Sequence, residues 1–321
     1  MANSNKLPFE EVKRDILLKK ESTGEFGTAP EDRPVEQVIN YGIVNIDKPR
    51  GPTSHQASDY VKRILGISKA GHSGTLDPHV TGVLAVALGR ATRIAQALLP
   101  AGKEYMALMH LHKPIEEEKI RKAFKDFTGR IRQKPPVKSA VKRVERSRNV
   151  YYTDILEIEG QDVLFRIGCQ AGTYIRKYIH DLGLRLGCGA HMAELRRTKA
   201  ASFDESTSCT LQDLTDAFHY YRNENNPKFL RRLIQPTENA VRHLPKVWVL
   251  DSAIETLSHG RDLAVCGISR LESGIKENDI AAVMTLKNEL IALGTAMLKS
   301  ERMMEKNRGI AVRTDKVFIQ T

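Results

Sequence analysis

Segments with the pattern of strands and of helices follow one another in an irregular order along this chain of 321 residues, and that order limits the folds open to it. Short apolar runs predict strands at 41–49, 83–89, 103–112, 152–160 and 162–172. Amphipathic or capped stretches predict helices at 51–66, 91–99, 115–129 and 173–187. Strands that succeed one another without a helix between them favour antiparallel pairing. We therefore predict an α+β fold, with a mixed, mostly antiparallel sheet and flanking helices.

Changes in composition divide the chain into three parts. Residues 1–36 are polar and contain several glycines and prolines, which predicts an N-terminal extension with a short helix possible over 9–20. Residues 37–244 form the main domain, in which 190–204 is a basic loop or a short strand and 210–240 is helical and polar. From 245 to 321, short alternating runs separated by turn residues predict a small β-barrel-like domain.

The charge balance indicates the kind of partner. The chain has 50 Lys and Arg against 39 Asp and Glu, a net charge of +11, which favours a polyanion, with nucleic acid ahead of a membrane surface. Many soluble enzymes are also basic, so the charge alone is a weak indication. The four cysteines form no CxxC pair and no zinc-ligand spacing, and are expected to be reduced interior thiols. With no signal peptide and no membrane-length apolar run, a cytoplasmic protein is expected.

The segment 130–148 has eight Lys and Arg residues and one acid, Glu145. Pro135 and Pro136 prevent a continuous helix, so a basic loop is predicted. Such a run of charge is most often a solvated face. In an enzyme-sized domain, a basic loop interrupted by proline is also typical of contact with phosphate.

One carboxylate, Asp77, lies in "GHSGTLDPHVTGVL" between a glycine-rich turn and an apolar run. Pro78 keeps Asp77 out of the helical region, and Gly71 and Gly74 permit tight turning before it. An aspartate in a turn is common, and local chemistry alone favours that bland interpretation.

Five motifs in order change that interpretation. They are "DKPRGPTS" at 47–54, "GTLDP" at 74–78, "KEY" at 103–105, "GTYIR" at 172–176 and "ELRRTKAASF" at 194–203. Together they resemble the pseudouridine synthases of the branch that contains the bacterial tRNA enzyme, dyskerin and the archaeal box H/ACA catalytic subunit, the last most closely. The resemblance runs from about residue 36 to the C-terminus and includes a PUA RNA-binding domain at 245–321. There Asn278 stands where the family usually has glycine, and because Asn tolerates positive φ, the turn is expected to persist.

The resemblance implies isomerisation of uridine to pseudouridine in RNA, which needs no cofactor and no metal. Asp77 would be the nucleophile or a stabilising base that takes a sugar proton, Arg176 its partner, and Tyr105 the residue that stacks on uracil. The remaining residues implied near the substrate are His72, Tyr174, Leu195 and Lys48. Lys48 would either brace the catalytic loop or meet a phosphate.

For RNA binding, the resemblance implies that segment 130–148 is a thumb loop acting through Lys138, Lys142, Arg143 and Arg146. The N-terminal extension would pack on the PUA domain. Implied partners are an H/ACA guide RNA, rRNA and tRNA substrates, a small zinc-ribbon-like protein, a small β-barrel protein and a kink-turn-binding ribosomal-type protein, with no membrane. The alternatives are a guide-independent tRNA synthase, a non-catalytic scaffold of a ribonucleoprotein, and an unrelated hydrolase with an aspartate nucleophile.

Overall fold

The computed structural model describes residues 5–135 and 142–319. The strands are β1 Ile16–Leu18, β2 Gly42–Lys48, β3 Ala70–His72, β4 Thr81–Leu88, β5 Lys103–Leu111, β6 Gly129–Gln133, β7 Arg146–Glu159, β8 Asp162–Cys169, β9 Ala190–Ala200, β10 Phe203–Asp204, β11 Ile234–Pro236, β12 Lys246–Val249, β13 Leu263–Ala264, β14 Ile268–Glu272, β15 Ile280–Met284, β16 Leu290–Ala296 and β17 Ile310–Val317. The α-helices are α1 Pro8–Glu11, α2 Val35–Tyr41, α3 Ser54–Ile64, α4 Ala95–Leu98, α5 Glu117–Asp126, α6 Ile175–Arg185, α7 Leu211–Glu224, α8 Lys228–Leu233, α9 Ile254–Ser258 and α10 Ser300–Glu305. Short 3-10 helices lie at Pro30–Asp32, Gly89–Ile94, Glu205–Thr207, Thr237–Val241, Asp251–Ala253 and Val265–Gly267.

Ten strands form the larger sheet. Its order is β11-β2-β4-β9-β5-β8-β7-β6, with β3 beside β4 and β10 beside β9. Among the described strands of this sheet, β4 and β9 run parallel, and the remaining ladders are antiparallel. Helices α5 and α6 cover one part of it with a core of Phe124, Phe165 and Tyr178, and α3 and α7 cover another. The predicted α+β fold with a mixed, mostly antiparallel sheet is confirmed.

The smaller sheet has seven strands in the order β1-β14-β12-β15-β16-β17-β13. Its strands include the runs predicted beyond residue 245, and they enclose a separate apolar core with Leu271, Val283 and Ile291. Asn278 has a φ of +70°, so the expected turn persists with asparagine in place of glycine. A further apolar cluster joins the two sheets, because Ile43 and Val83 of the first belong to the same cluster as Trp248 and Leu293 of the second.

The N-terminal segment differs from the helix considered over 9–20. Only Pro8–Glu11 is helical, and Ile16–Leu18 is strand β1, which pairs antiparallel with β14 of the smaller sheet. Ile16 pairs with Glu272 and Leu18 with Arg270. Backbone pairing with strand β14, about 250 residues away, is a tertiary effect that local propensity does not reveal.

Of the two alternatives for segment 190–204, a basic loop or a short strand, the structure has the strand, and it is long. The segment holds the 11-residue strand β9, which lies between β4 and β5 in the middle of the sheet. The segment predicted as a loop at 130–148 is likewise partly strand, since β6 ends at Gln133 and β7 begins at Arg146. In both places, pairing with a neighbouring strand overrides the basic character that suggested a loop.

Two smaller expectations also need correction. The helical region predicted over 210–240 ends at Leu233 and is followed by strand β11. Cys169, Cys188 and Cys209 are buried thiols as expected, but Cys266 is exposed. None of the helices in residues 5–135 and 142–319 is both long and apolar enough to cross a membrane.

Candidate active site

The backbone on both sides of Asp77 is held by residues of the 47–54 motif. Ser54, the first residue of α3, accepts a hydrogen bond from Leu76 N at 2.7 Å and donates one to Leu76 O at 3.2 Å. On the other side, Pro78 O accepts from Gly51 N at 2.8 Å and from Lys48 Nζ at 3.4 Å. The peptide groups that flank Asp77 are therefore fixed, while its carboxylate is left at the surface.

The position of α3 follows from its N-terminal sequence. Thr53 is its N-cap, its side chain accepts from Gln56 N at 3.1 Å, and Gln56 returns a bond to Thr53 N at 2.8 Å. This reciprocal capping leaves the hydroxyl of Ser54 available for Leu76. Thr53 therefore caps the helix, and Ser54 holds the loop that carries Asp77.

Lys48 is fully buried, and its ammonium group contacts backbone carbonyls of Pro49 and Pro78. Burial, with a smaller contribution from Arg197, lowers the pKa of Lys48, and the nearby Asp77 acts in the opposite direction. An enclosed ammonium group that bonds to the loop fits the bracing alternative better than contact with a phosphate.

Asp77 and Arg176 are brought together from positions 99 residues apart. Arg176 Nη2 donates to Asp77 Oδ2 at 3.2 Å. The two side chains are 61% and 56% exposed, so the pair itself adds little to stability. A carboxylate that is held in orientation yet reachable from solvent suits a substrate that must approach it directly.

Tyr105 lies on β5 beside a buried arginine that the sequence analysis did not single out. Arg197 of β9 pairs with Tyr105 across the sheet and is 1% exposed. Its Nε donates to Val83 O at 2.8 Å and its Nη2 to Gly74 O at 3.3 Å. Burial raises the pKa of Tyr105, and the guanidinium of Arg197 opposes that rise.

Arg197 thus connects three of the five motifs. It bonds to Gly74 of the Asp77 loop, it is the cross-strand partner of Tyr105 of the "KEY" motif, and it belongs to the motif at 194–203 itself. Its only sequence signal is membership of that motif, since an arginine in a basic segment is normally expected at the surface. Ser54 is a second residue whose contact with the Asp77 loop is not evident from its own motif at 47–54.

Leu195 and Tyr174 lie at the edges of the same region. Leu195, on β9 opposite Ala107, is partly buried and packs on the cluster that contains Ile175. Tyr174 is the N-cap of α6, and its backbone bonds to the side chain of Gln133.

His72 is held against another histidine. Its Nδ1 accepts from Gly74 N at 3.4 Å, and its ring meets the ring of His55 edge-on at 4.8 Å. Burial, with help from His55 and Arg197, lowers the pKa of His72 to about 4, so it is neutral near pH 7. Both rings line an open groove on the side of α3, together with Asp59 and Lys62.

Of the four residues implied in RNA binding, Lys138 lies outside the described residues, and Lys142, Arg143 and Arg146 are exposed. Arg143 Nε donates to Pro135 O at 3.3 Å. Arg146 and Arg148 line a small cavity between the paired strands β6 and β7 and the turn of the "GTYIR" motif. In the described part of the chain, no group of three or more His, Cys, Asp or Glu is arranged to hold a metal ion.

Family comparisons cover nearly the whole chain. The TruB family pseudouridylate synthase N-terminal domain matches residues 62–175, and the tRNA pseudouridylate synthase B C-terminal domain matches 176–242. A PUA domain matches 245–318, and a DKCLD (NUC011) domain matches 5–58.

Individual relatives agree with the family match. The chain is 56% identical over 313 residues to a probable tRNA pseudouridine synthase B of Thermococcus kodakarensis, covering 96% of this chain and 93% of the relative. A crystal structure of a Cbf5-Nop10-Gar1 complex contains a chain 55% identical, with a TM-score of 0.94 and coverage of 98% and 96%. A structure of an H/ACA RNP bound to a substrate RNA containing 2′-deoxyuridine contains one 52% identical, with a TM-score of 0.91 and coverage of 98% of each chain. This chain belongs to the TruB family of pseudouridylate synthases.

Proposed function

We propose that Asp77 is the catalytic residue of this pseudouridine synthase, with Arg176 as its partner and Tyr105 as the platform for the base. The observation that carries the proposal is the geometry at Asp77: an exposed carboxylate, flanked by fixed peptide groups, with a guanidinium at 3.2 Å. Oriented by that guanidinium, the carboxylate is placed to meet a developing positive charge.

The reaction requires one such acid. The C1′–N1 bond of uridine breaks, the same base rejoins the sugar through C5, the proton on C5 is released to solvent, and N1 takes up a proton in its place. Cleavage of a glycosidic bond builds positive charge on the sugar, which a carboxylate stabilises or traps. Asp77 therefore either bonds to C1′ or takes a proton from the sugar, and both routes need its ionised form. No redox step, cofactor or metal enters the balance.

The uridine must leave its stack to reach Asp77. Tyr105 offers an aromatic face, and we place Tyr174 and Leu195 at the walls of the pocket that holds the detached base. His72, neutral and fixed beside the loop, would contact the nucleotide without moving a proton. Lys48 would serve the substrate indirectly, through the loop that it braces.

The solved relatives are named as parts of a Cbf5-Nop10-Gar1 complex and of an H/ACA RNP, and we extend an assembly of that kind to this chain. A guide RNA of the H/ACA type would select the uridine in rRNA, and a small zinc-ribbon-like protein, a small β-barrel protein and a kink-turn-binding ribosomal-type protein would complete the complex. The division into an extension at 1–36, a catalytic domain at 37–244 and a PUA domain at 245–321 belongs to this proposal, as does a cytoplasmic location. The division into these three parts is supported by the PUA match at 245–318 and by the pairing of β1 with β14.

A second candidate is a stand-alone enzyme that modifies tRNA without a guide. It is favoured by the activity for which the Thermococcus kodakarensis relative is named. A purely structural role in a ribonucleoprotein is less well supported, because the Asp77–Arg176 pair is intact.

The deciding experiment follows tritium released from C5 of uridine. Purified protein is incubated with a bare tRNA transcript, and separately with guide RNA, target RNA and the partner proteins. Release that requires the guide supports the first proposal, and release from bare tRNA alone supports the second. If neither incubation releases tritium but the protein still binds RNA tightly, the scaffold role is supported.

Asp77→Asn is the matching variant. We expect the single-turnover rate to fall by about a thousandfold or more while RNA affinity changes by less than about threefold, because the variant removes charge and keeps shape. Asp126→Asn is the control, since Asp126 is also an exposed acid paired with an arginine, Arg185. An Asp77→Asn protein with near-normal rate would refute the assigned role.

The proposed contact of the basic segment 130–148 with RNA is tested by the dependence of RNA affinity on salt. With Lys142→Glu and Arg143→Glu combined, the slope of log K against log salt should become shallower by about one to two. That change corresponds to the loss of one or two phosphate contacts. The control pair is Lys119→Glu with Arg121→Glu, two exposed cations on α5. An unchanged slope in the first pair would exclude these two residues from the RNA contact.

A further inference from the structure

A buried glutamine joins the base of the basic segment to the helix that carries Arg176. Gln133, the last residue of β6, is 3% exposed. Its Nε2 donates to Tyr174 O at 3.1 Å, and its Oε1 accepts from Tyr174 N at 3.0 Å. One side-chain amide thus satisfies both backbone groups of a single residue, in the manner of a strand partner.

The residue that it holds determines where α6 begins. Tyr174 is the N-cap of α6, with extended backbone angles of −93° and 102° and no side-chain cap of its own to the helix. Tyr174 O also accepts from Tyr178 N at 2.9 Å, which closes the first turn. Arg176 is the second residue of that turn, so a displacement of Tyr174 carries the guanidinium with it.

The contact between Gln133 and Tyr174 lies beside the segment that is proposed to bind RNA. Gln133 and Tyr174 line the small cavity that Arg146 and Arg148 also line. Arg148 lies directly over the turn before α6, because its Nη2 is 3.1 Å from where a side chain at Gly172 would begin. Arg146, which is implied in RNA binding, and the start of α6 therefore line the same cavity.

We propose that Gln133 is a positioning residue for the isomerisation: it holds the first turn of α6 so that Arg176 is oriented toward Asp77. This rests on the proposed roles of Asp77 and Arg176. Gln133 acts through Arg176 and does not touch the reacting atoms. Its loss changes the chemical step more than the binding of RNA.

The test uses Gln133→Leu, which removes both bonds, and Gln133→Glu, which keeps the acceptor and loses the donor. Gln170→Glu is the control, because Gln170 makes a similar bond, to Asn149 N at 3.1 Å, without reaching the backbone of Tyr174. Single-turnover tritium release at saturating RNA should fall about tenfold or more in Gln133→Leu, while the RNA dissociation constant changes by less than about threefold. The control should keep both values within about twofold of the unmodified protein.

A double-mutant cycle with Arg176→Lys tests whether Gln133 acts through Arg176. In that background, Gln133→Leu should lower the rate by less than about twofold, since the pair it orients has already been altered. Equal effects of Gln133→Leu in both backgrounds overturn the inference. So does a loss confined to RNA affinity, which indicates a structural role at the basic segment only.

Hydrogen exchange at the amide of Tyr178 gives a readout that does not depend on activity. It should speed up in Gln133→Glu and remain unchanged in Gln170→Glu, and unaltered exchange in Gln133→Glu overturns the inference even if Gln133→Leu fails to fold. Failure of the proposed function is distinguished because the unmodified protein would then release no tritium, whereas failure of this inference leaves its Asp77-dependent release intact.

Discussion

At the scale of the residue, the role proposed for Asp77 depends on a solvent-accessible carboxylate and a fixed backbone. Asp77 is 61% exposed, but the peptide groups of Leu76 and Pro78 on either side are each bonded to residues of the 47–54 motif. Enzymes gain rate from holding a catalytic group in place before the substrate arrives, because reorganisation is then avoided in the transition state.

Ser54→Ala tests that fixation. The variant leaves Leu76 N and O without their side-chain partner, which should cost about 1–3 kcal/mol of unfolding free energy. The single-turnover rate should fall about tenfold at nearly constant RNA affinity, since the loop is displaced and not the RNA contact.

Ser58→Ala is the control for that variant. Ser58 is also buried on α3 and donates to Ser54 O at 3.0 Å, but it does not touch the Asp77 loop. We expect it to lose about 0.5–1.5 kcal/mol and to keep its rate within about twofold. Equal rate losses in the two variants would show that the helix, and not the loop clamp, is responsible.

The sequence predicts some contacts of this site and not others. Asp77 and Arg176 were identified through motifs far apart in sequence, and the structure places them 3.2 Å apart. Arg197 was missed, because nothing in a basic run marks one arginine as 1% exposed. Burial depends on which strands cover a residue, and that information is spread over the whole sheet.

At the scale of the element, the parallel contact between β4 and β9 holds the site together. Gly82 pairs with Arg197 in that ladder, with a φ of +102°. A side chain at Gly82 would begin 2.2 Å from Arg197 O, so the two backbones approach as closely as they do only because residue 82 is glycine.

Gly82→Ala should therefore lower the unfolding free energy by more than backbone strain alone would. Gly129 is the matched control, because it has a similar φ of +97° and nothing within 4 Å of the added carbon. We expect Gly129→Ala to lower the unfolding free energy by about 1–2 kcal/mol through backbone strain. Gly82→Ala should lose at least about 1–3 kcal/mol more, through the clash with β9.

Denaturant unfolding of the two glycine variants measures that difference. Tritium release should fall further in Gly82→Ala than in Gly129→Ala, because the displaced strand carries Arg197. Similar losses of stability in both variants would mean that the sheet yields at β9 and that the close approach is not required.

At the scale of the whole molecule, a buried ion cluster joins the three parts of the chain. Arg33 of the N-terminal extension makes two bonds to Glu238, at 2.9 and 2.8 Å, and one to Glu289 at 3.2 Å. Glu238 lies in the 3-10 helix that precedes strand β12, and Glu289 immediately precedes strand β16. Arg33 and Glu238 are 6% and 8% exposed, so water cannot replace either partner.

Arg33→Met should reduce the unfolding free energy by about 3–5 kcal/mol, because it leaves Glu238 charged and buried. It should also separate the unfolding of the two sheets into two transitions, seen by calorimetry. Arg14→Met is the control, since Arg14 of the same extension meets Glu272 at a longer 3.7 Å. A single, equally cooperative transition in both variants would mean that the shared apolar cluster suffices to couple the sheets.

Local signals in the sequence determined the amphipathic helices, most strand positions, the capped start of α3, the turn at Asn278 and, through five ordered motifs, the family and the acid at its centre. These features depend on neighbours within a few residues, or on patterns short enough to be read directly. Tertiary structure decided which basic residues are buried, which strand lies in the middle of the sheet, and that residues 16–18 extend a sheet formed by the last part of the chain. Each of these depends on contacts between segments up to 250 residues apart, and no local propensity encodes them.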